Sequence, residues 1–352
     1  MAWPGENLLI RLVETIEKSG TGLLRPWQIT RTSNAETAAH TNRLLAIAAA
    51  EAQVEKLKEI SKSSPNSVLV LEGPKAAIEP TFDAERFEMQ ISTAQKVEYL
   101  RKEINIEKAV SYAEKILKED TAPPPEKEVD MDWFVRWRES ASGMSSESMQ
   151  QLWGHVLAGE LKAPGAFSYR TMDFLRNISQ EEAHLIERLA AVTTESHQVI
   201  FGRTAKKLDL PREMKDGLPK SELTQLEQLG ILAGVELMGY RDNRPPYKLP
   251  NGKHVHLFVI CQTRGVLAYT DDPERTTDLS FYKLTKLGQS LMSLVQTPAN
   301  EAYLKSLGEL LAAAGFKVFI ADILTSPGAR SSENEVEISS SVADSVAGNP
   351  NV

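Results

Sequence analysis

The 352-residue sequence has a single cysteine, Cys261, so no disulfide can form within the chain and the paired cysteines of zinc sites are absent. It has no phosphate-binding G-x-x-x-x-G-K motif, no G-x-S-x-G nucleophile turn and no H-E-x-x-H metal motif. His254 and His256 alternate on a predicted strand, but no cysteine or carboxylate accompanies them. We therefore predict no catalytic, cofactor-binding or metal-binding residues. Catalytic groups can converge from positions that are distant in sequence, so these absences do not exclude an enzyme. They favour a protein without enzymatic activity.

Long apolar runs are also absent, and no stretch approaches the roughly 20 apolar residues that a membrane-spanning helix requires. The first residues lack the basic head and long apolar segment of a signal peptide. Both absences predict a cytoplasmic protein. The first predicted helix has an apolar stripe at Leu8, Leu9, Leu12, Val13 and Ile16. Its polar side carries both signs of charge, which favours packing against protein over peripheral membrane contact.

The balance of charge disfavours a general nucleic-acid binder. The chain has 40 lysines and arginines against 48 acidic residues, a formal net charge of −8. Affinity for nucleic acids rests mainly on basic side chains that neutralise phosphates, so only a local basic face would serve. Hydrophobic residues make up 41% of the chain, enough for a sizeable core, and the length predicts two or three compact units.

Residues 1–120 are predicted to form a short helix and then a long helical hairpin. Gln28 to Lys62 contains no proline or glycine, and a helix of that length would extend roughly 50 Å. Phe82 to Leu117 keeps an apolar stripe, so we expect the two helices to pair antiparallel, with pairing between chains as the alternative. Val68 to Leu71 is a strand candidate, expected either to pair with C-terminal strands or to form a flexible arm.

A proline linker, residues 121–125, separates this hairpin from a compact helical core over 126–192. Ser145 or Ser146 is suited to cap the second core helix, and a proline-glycine pair after Ala163 ends it. Ser179 followed by Glu182 matches a capping box at the start of the last core helix. The apolar stripes of these short helices predict that they pack together.

Residues 193–325 are read as a winged-helix-like α+β region. A helix from Glu222 to Leu229 precedes strands that include a hairpin of Val255–Val259 with Val266–Tyr269. The helix has the place of a recognition helix, but its two acids and one flanking lysine favour protein contact or packing over DNA. Residues 326–352 are rich in serine and acidic residues and are predicted to be a disordered tail. The overall fold class is therefore mainly α.

One cluster of basic and aromatic residues stands out as a candidate partner-binding surface. It would bind an acidic partner or nucleic acid. The alternative is that these arginines stack over aromatic rings and pair with neighbouring acids. The cluster consists of Arg136, Arg138, Arg170, Arg176, Trp133 and Trp137.

The segment LWGHVLAGELKAPGAFSYRTMDFLRNISQEEAHLIERL resembles the bacterial "domain of unknown function 2806" family. GLLRPWQITRTSNAE and LRKEINIEKAV resemble the same family, so the similarity touches most of residues 10–295. It departs at Val68–Pro80 and at 235–280. The core segment is also similar, more distantly, to the abortive-infection alpha family. Neither resemblance carries catalytic residues over to this sequence.

These observations favour a non-enzymatic protein-interaction or scaffold protein that oligomerises or binds a protein partner through its long helices. The resemblance implies a role in bacterial anti-phage defence. A winged-helix DNA-binding regulator is the alternative, and an enzyme with an unrecognised active site is a weaker one.

Overall fold

The computed structural model describes residues 6–18, 47–59, 68–70, 77–79, 84–120, 122–203, 218–237, 239–243, 245–260, 263–326 and 329–339. Within these residues the chain is mainly helical and adds antiparallel sheets. It divides into two compact units, residues 1–172 and 173–352. The predicted helical core of 126–192 is therefore shared between the two units.

The first unit contains mostly helices. Its elements are α1 (Glu6–Lys18), α2 (47–59), β1 (Val68–Val70), β2 (Ala77–Glu79), α3 (Ala84–Lys118), α4 (Met131–Ser142), α5 (Glu147–Lys162) and the start of α6 (Tyr169–Asn177).

Helix α3 is the element against which α1, α4 and α5 pack. Its second half is buried along one side by residues that recur at helical spacing. These are Ile106, Ala109, Val110, Ala113 and Leu117. Gly154 of α5 lies against this stripe so closely that a Cβ atom there would sit 2.5 Å from the Cβ of Tyr112. Small residues at the crossing therefore set the distance between α3 and α5. The apolar stripe of α1 is buried as well, at Leu8, Leu9, Leu12 and Val13.

Helix α2 pairs with α3, as the sequence predicts for the long hairpin. Ile47, Ala50 and Val54 form a buried cluster with Ile104, and Val97 and Leu100 pack against it. Lys108 and Glu51 join the same two helices through an ion pair of 2.6 Å. The pairing is confirmed for 47–59. The rest of the first predicted helix, 28–46 and 60–62, lies outside the described residues.

The strand candidate after α2 pairs locally, which corrects the prediction. Strand β1 forms an antiparallel pair with β2, with Val68 opposite Glu79 and Val70 opposite Ala77. The sequence predicts either a C-terminal partner strand or a flexible arm for this segment. A nearby strand is the simpler partner, because closing a short loop costs less conformational entropy than closing a long one.

The segment after α3 is tied down by polar contacts. Arg11 of α1 donates to the carbonyl of Pro125, and Lys18 pairs with Glu128 at 2.8 Å. Asp130 then caps α4 by accepting from the backbone of Asp132 at 2.8 Å. The proline linker is thus anchored to the first helix of its own unit.

The second unit combines helices with two antiparallel sheets. After the end of α6 its elements are α7 (Gln180–Ala190), β3 (Gln198–Arg203), α8 (Lys220–Gln228), β4 (Leu232–Ala233), β5 (Tyr240–Asp242), β6 (Tyr247–Lys248), β7 (His254–Ile260), β8 (Arg264–Thr270), β9 (Leu279–Leu284), α9 (Lys286–Met292), α10 (Glu301–Ala312), β10 (Lys317–Ser326) and β11 (Ala329–Ile338).

The larger sheet has five strands in the order β11-β10-β8-β7-β6. The predicted hairpin is confirmed as β7 and β8, with Val255 opposite Tyr269 and Val259 opposite Gly265. The smaller sheet has the order β3-β9-β4, and β5 also pairs with β9. Strand β9 is therefore the centre of the smaller sheet, and α8 leads directly into its edge strand β4.

Tyr303 joins helix α10 to strand β3. Its fully buried hydroxyl accepts from the backbone N–H of Ile200 and donates to the carbonyl of the same residue, both at 3.0 Å. The contact falls where the β3–β9 register shifts, between Ile200 and Gly202. Burial raises the pKa of the Tyr303 phenol. The side chain satisfies backbone groups at an irregular point of the strand.

The prediction of a disordered tail from 326 is wrong for strand β11. This strand pairs with β10 from Ala329 opposite Ser326 to Ile338 opposite Val318. Asn334 donates to Asp322 at 2.6 Å and adds a side-chain contact to the pair. Strand pairing uses backbone groups, so a polar sequence can form an edge strand, where charged side chains are common. Residues 340–352 lie outside the described residues.

Candidate functional site

Both tryptophans of the predicted partner-binding cluster belong to the core. Trp133 is 4% exposed and donates to the carbonyl of Phe167 at 2.6 Å. Trp137 is fully buried and donates to the carbonyl of Trp153 at 2.9 Å. Capping by Asp130 and packing of α4 on α3 turn both rings inward. Neither ring is available to a partner, which corrects their place in the candidate site.

Arg138 is also engaged inside the first unit. Its guanidinium pairs with Glu103 of α3, and the two side chains are 18% and 6% exposed. Removing one member of such a pair leaves an uncompensated buried charge. Arg138 therefore joins α4 to α3 and is not part of an exposed basic surface.

The exposed remainder of the cluster is small. Arg136 lies over the ring of Tyr169, with 4.7 Å between its guanidinium carbon and the ring centroid. Arg170 is exposed, and Val135 is 49% exposed. Arg176 is exposed on the part of α6 that belongs to the second unit. Of the four arginines, the structure thus brings Arg136 onto the ring of Tyr169.

A buried carboxylate closes the turn after α5. Glu160 is 2% exposed and accepts from the backbone of Gly165 at 2.5 Å and of Phe167 at 3.0 Å. Burial raises the pKa of Glu160, and these two hydrogen bonds oppose the rise. Both accepted bonds come from the backbone of one turn. The arrangement satisfies that turn and indicates a structural role for Glu160.

Two histidines in the described part of the chain contact backbone carbonyl groups. His256 contacts the carbonyl of Arg275 at 2.9 Å, and His155 contacts that of Gln151 at 2.9 Å. Within the same residues no group of three histidine, cysteine or acidic side chains could hold a metal ion. Across the described helices, none combines the length and apolar character needed to cross a bilayer.

The acids of helix α8 are bound by other parts of the second unit. Glu222 pairs with Arg188 of α7 at 2.5 Å. The carboxylate of Glu227 accepts from three consecutive backbone N–H groups, at 2.7 Å from Gly234 and 3.0 Å from each of Val235 and Glu236. Sequence reasoning missed both contacts, because their partners are distant in sequence or are backbone groups of a turn.

The first half of α3 carries exposed apolar side chains. Met89 is 68% exposed, Ile91 42% and Tyr99 47%. Val97, Leu100 and Ile104 point towards α2. At helical spacing Ile91 and Tyr99 lie on the opposite side of α3, whereas Met89 lies on the side of Val97 and Leu100. The apolar periodicity of the sequence predicts one stripe along this helix. It does not distinguish the exposed apolar side chains from those that face α2.

The described residues define a mainly helical protein with antiparallel sheets in its second unit and with exposed apolar and polar helix faces. The chain belongs to the family described as "Protein of unknown function (DUF2806)", which it matches over residues 89–308. Comparisons with curated proteins and with solved structures gave no match. The more distant resemblance to the abortive-infection alpha family stays a prediction.

Proposed function

We propose that this protein is a non-enzymatic interaction protein that associates with a second copy of itself through helix α3. The observation that carries the proposal is the exposure of Ile91 and Tyr99 on one face of a long helix. Apolar side chains that protrude from a helix gain free energy when another surface covers them. The side of α3 that faces α2 is already occupied by Val97 and Leu100.

The exposed face of α3 is self-complementary. Glu88, Ile91, Gln95, Tyr99 and Lys102 are all exposed and recur at spacings of three and four, so they share one helix face. When two copies cross antiparallel at Gln95, Ile91 of each copy meets Tyr99 of the other, and Glu88 meets Lys102. A two-fold axis requires this kind of pairing, in which one patch binds its own copy.

The strength of this contact follows from how much of each side chain is exposed. Full burial of a large apolar side chain stabilises by about 1.5–3 kcal/mol, so covering the exposed half of Ile91 or Tyr99 contributes about 1 kcal/mol. Four such side chains in a dimer contribute about 4 kcal/mol before the cost of association. The dimer is therefore expected to be weak and to depend on protein concentration.

Cross-linking tests the proposed register directly. In a Cys261→Ser background, Gln95→Cys places each new thiol opposite its own copy, and Gln151→Cys places one on an exposed face of α5 as the control. Disulfides form only when the two Cα atoms come within about 7 Å. We expect Gln95→Cys to give a covalent dimer under mild oxidation and the control to stay monomeric. Equal yields from both variants would contradict the proposed contact.

The second candidate function is a DNA-binding regulator with a winged-helix-like module. Its support is the chain order α7, β3, α8, β4 and β9 together with the sheet order β3-β9-β4. In this arrangement one short helix precedes a small antiparallel sheet, and this helix would be the one to enter a major groove. A mobility shift of duplex DNA at about 50 mM salt that fades as salt rises would support it, and no shift would count against it.

The proposed setting is bacterial anti-phage defence, supported by the resemblance of the core segment to the abortive-infection alpha family. We expect expression of the chain in a bacterial host to reduce the plating efficiency of at least one phage in a broad panel. The matched control is a chain with Ile91→Gln and Tyr99→Gln, which weakens the proposed self-association. Equal plating with the chain, the control and an empty vector would contradict this role.

A further inference from the structure

Helix α8 is the helix that would contact DNA bases in the winged-helix-like arrangement. By composition it is poorly suited to DNA, because Glu222 and Glu227 outnumber Lys220. A phosphate backbone repels free carboxylates and attracts lysine and arginine. However, both carboxylates are bound by other groups of the second unit, so neither is a free charge on the helix.

Both acids are neutralised by neighbours in the fold. Arg188 supplies a full positive charge to Glu222, and the two side chains are 38% and 28% exposed. Three aligned backbone N–H groups from the turn after β4 surround the carboxylate of Glu227, which is the way such turns bind anions. The two carboxylates are thus held towards α7 and towards the sheet.

The exposed face of α8 is polar and nearly free of acids. Ser221, Gln225 and Gln228 are exposed and spaced by four and three residues, so they lie on one face, with exposed Lys220 at its N-terminal end. The apolar side chains Leu223 and Leu226 are buried beneath this face. A helix that docks on a protein normally presents apolar anchors, and none is exposed between Lys220 and Gln228.

We propose that this face of α8 binds in the major groove of duplex DNA and reads adenine through Gln225 and Gln228, which rests on the winged-helix-like arrangement proposed above. The side-chain amide oxygen of glutamine can accept from the N6 amino group of adenine while its NH2 group donates to N7. Lys220 contacts a phosphate at the entrance of the groove. The few basic side chains on the face give modest affinity that falls as salt increases.

Selection from random duplexes tests this proposal. The full chain is mixed with fluorescent duplexes randomised over roughly 16 base pairs, about one and a half helical turns, at about 50 mM salt. Bound duplexes are amplified over several rounds and their affinities are measured by fluorescence anisotropy. We expect enriched sequences that contain adenine at fixed positions, bound at least roughly tenfold more tightly than the starting pool.

Three variants separate base reading from other effects. The double change Gln225→Ala with Gln228→Ala should remove the tenfold preference. Lys220→Ala should weaken binding to all duplexes equally, and it should reduce the slope of log affinity against log salt by about the amount of one phosphate contact. Gln180→Ala changes an exposed glutamine on α7 and should bind like the original chain. All variants are first shown to melt at the same temperature. Gln225→Ala alone is the second variant if the double change does not fold.

Two results would overturn the proposal: no duplex bound at low salt, or a preference that survives the double glutamine change. Displacement of the duplex by an equal amount of single-stranded RNA would overturn it as well. The cross-linking of Gln95→Cys is measured in parallel. If cross-linking persists without DNA binding, only this proposal fails; if DNA binding persists without cross-linking, only the self-association fails.

Discussion

Replacing Gly154 by alanine tests how closely α3 and α5 pack in the first unit. A Cβ atom at this position would lie 2.5 Å from the Cβ of Tyr112, 2.8 Å from the carbonyl oxygen of Ala109 and 3.1 Å from the amide nitrogen of Ala113. Two of these atoms are backbone and the third is the first atom of its side chain. None can move aside by rotation, so the two helices must separate.

The size of the effect follows from two opposing contributions. Adding a methyl group to a closely packed site typically costs about 1–3 kcal/mol, and rigid neighbours place this site at the upper end. Alanine regains about 1 kcal/mol over glycine because it favours the helix. The net loss in the free energy of unfolding is therefore about 2 kcal/mol, equivalent to roughly 4–8 °C in the melting temperature of a unit this size.

Gly143→Ala is the matched control for this measurement. It has helical backbone angles, φ −81° and ψ −7°, and a Cβ there would lie no closer than 3.8 Å to the carbonyl oxygen of Ser140. This variant should be neutral or more stable by about 0.4–1 kcal/mol. Urea denaturation followed by circular dichroism compares the two. Equal stability of the Gly154→Ala and Gly143→Ala variants would refute the described packing of α3 on α5.

Three further substitutions have expected outcomes. Tyr303→Phe leaves the amide and carbonyl of Ile200 without their buried partner and should cost about 1–3 kcal/mol by urea denaturation; a change under about 0.5 kcal/mol would argue against the bridge. Glu160→Ala removes the acceptor of two backbone N–H groups and should cost about 2–4 kcal/mol, whereas an unchanged melting temperature would show that the turn does not depend on it. The hydrogen bond from Lys162, aided by the N–H of Ala122, lowers the pKa of Asp120 below its ordinary value. The pKa of an unfolded aspartate is about 3.9, and a lower pKa in the folded chain means that the ionised carboxylate stabilises the fold at pH values above this. This stabilisation is lost as the pH falls through the pKa of the folded state. Asp120→Asn should therefore be less stable than the original chain at pH 7 and equal to it near pH 2, and a pH-independent difference would contradict the ion pair.

Local signals predicted several helices and their first residues well. Ser146 caps α5, and Ser179 with Glu182 forms the predicted capping box of α7, because a cap depends only on residues three positions apart. Helix α3 extends over Ala84–Lys118, close to the predicted range, since its apolar residues repeat at helical spacing. The hairpin of β7 and β8 was recognisable because apolar residues alternate along both strands and a glycine-containing turn joins them.

The remaining features depend on partners that are distant in sequence. Strand β11 is polar and is held by backbone pairing to β10, a contact that has no signature in side-chain hydrophobicity. The inward orientation of Trp133 and Trp137, and the pairing of Arg138 with Glu103, depend on how α4 is placed against α3. Composition alone could not show that Glu222 and Glu227 are held by contacts within the second unit.

The central claim is that the chain acts by binding through exposed helix faces, with α3 binding a second copy. Sedimentation equilibrium over a range of protein concentrations measures this most directly. We expect the mass to rise from that of one chain, 39.0 kDa, towards twice that value. The double change Ile91→Gln with Tyr99→Gln should abolish the rise, and the matched control, Leu237→Gln with Tyr247→Gln, should leave it unchanged. A mass of one chain at every concentration, or the same rise in the Ile91 and Tyr99 variant, would contradict the account.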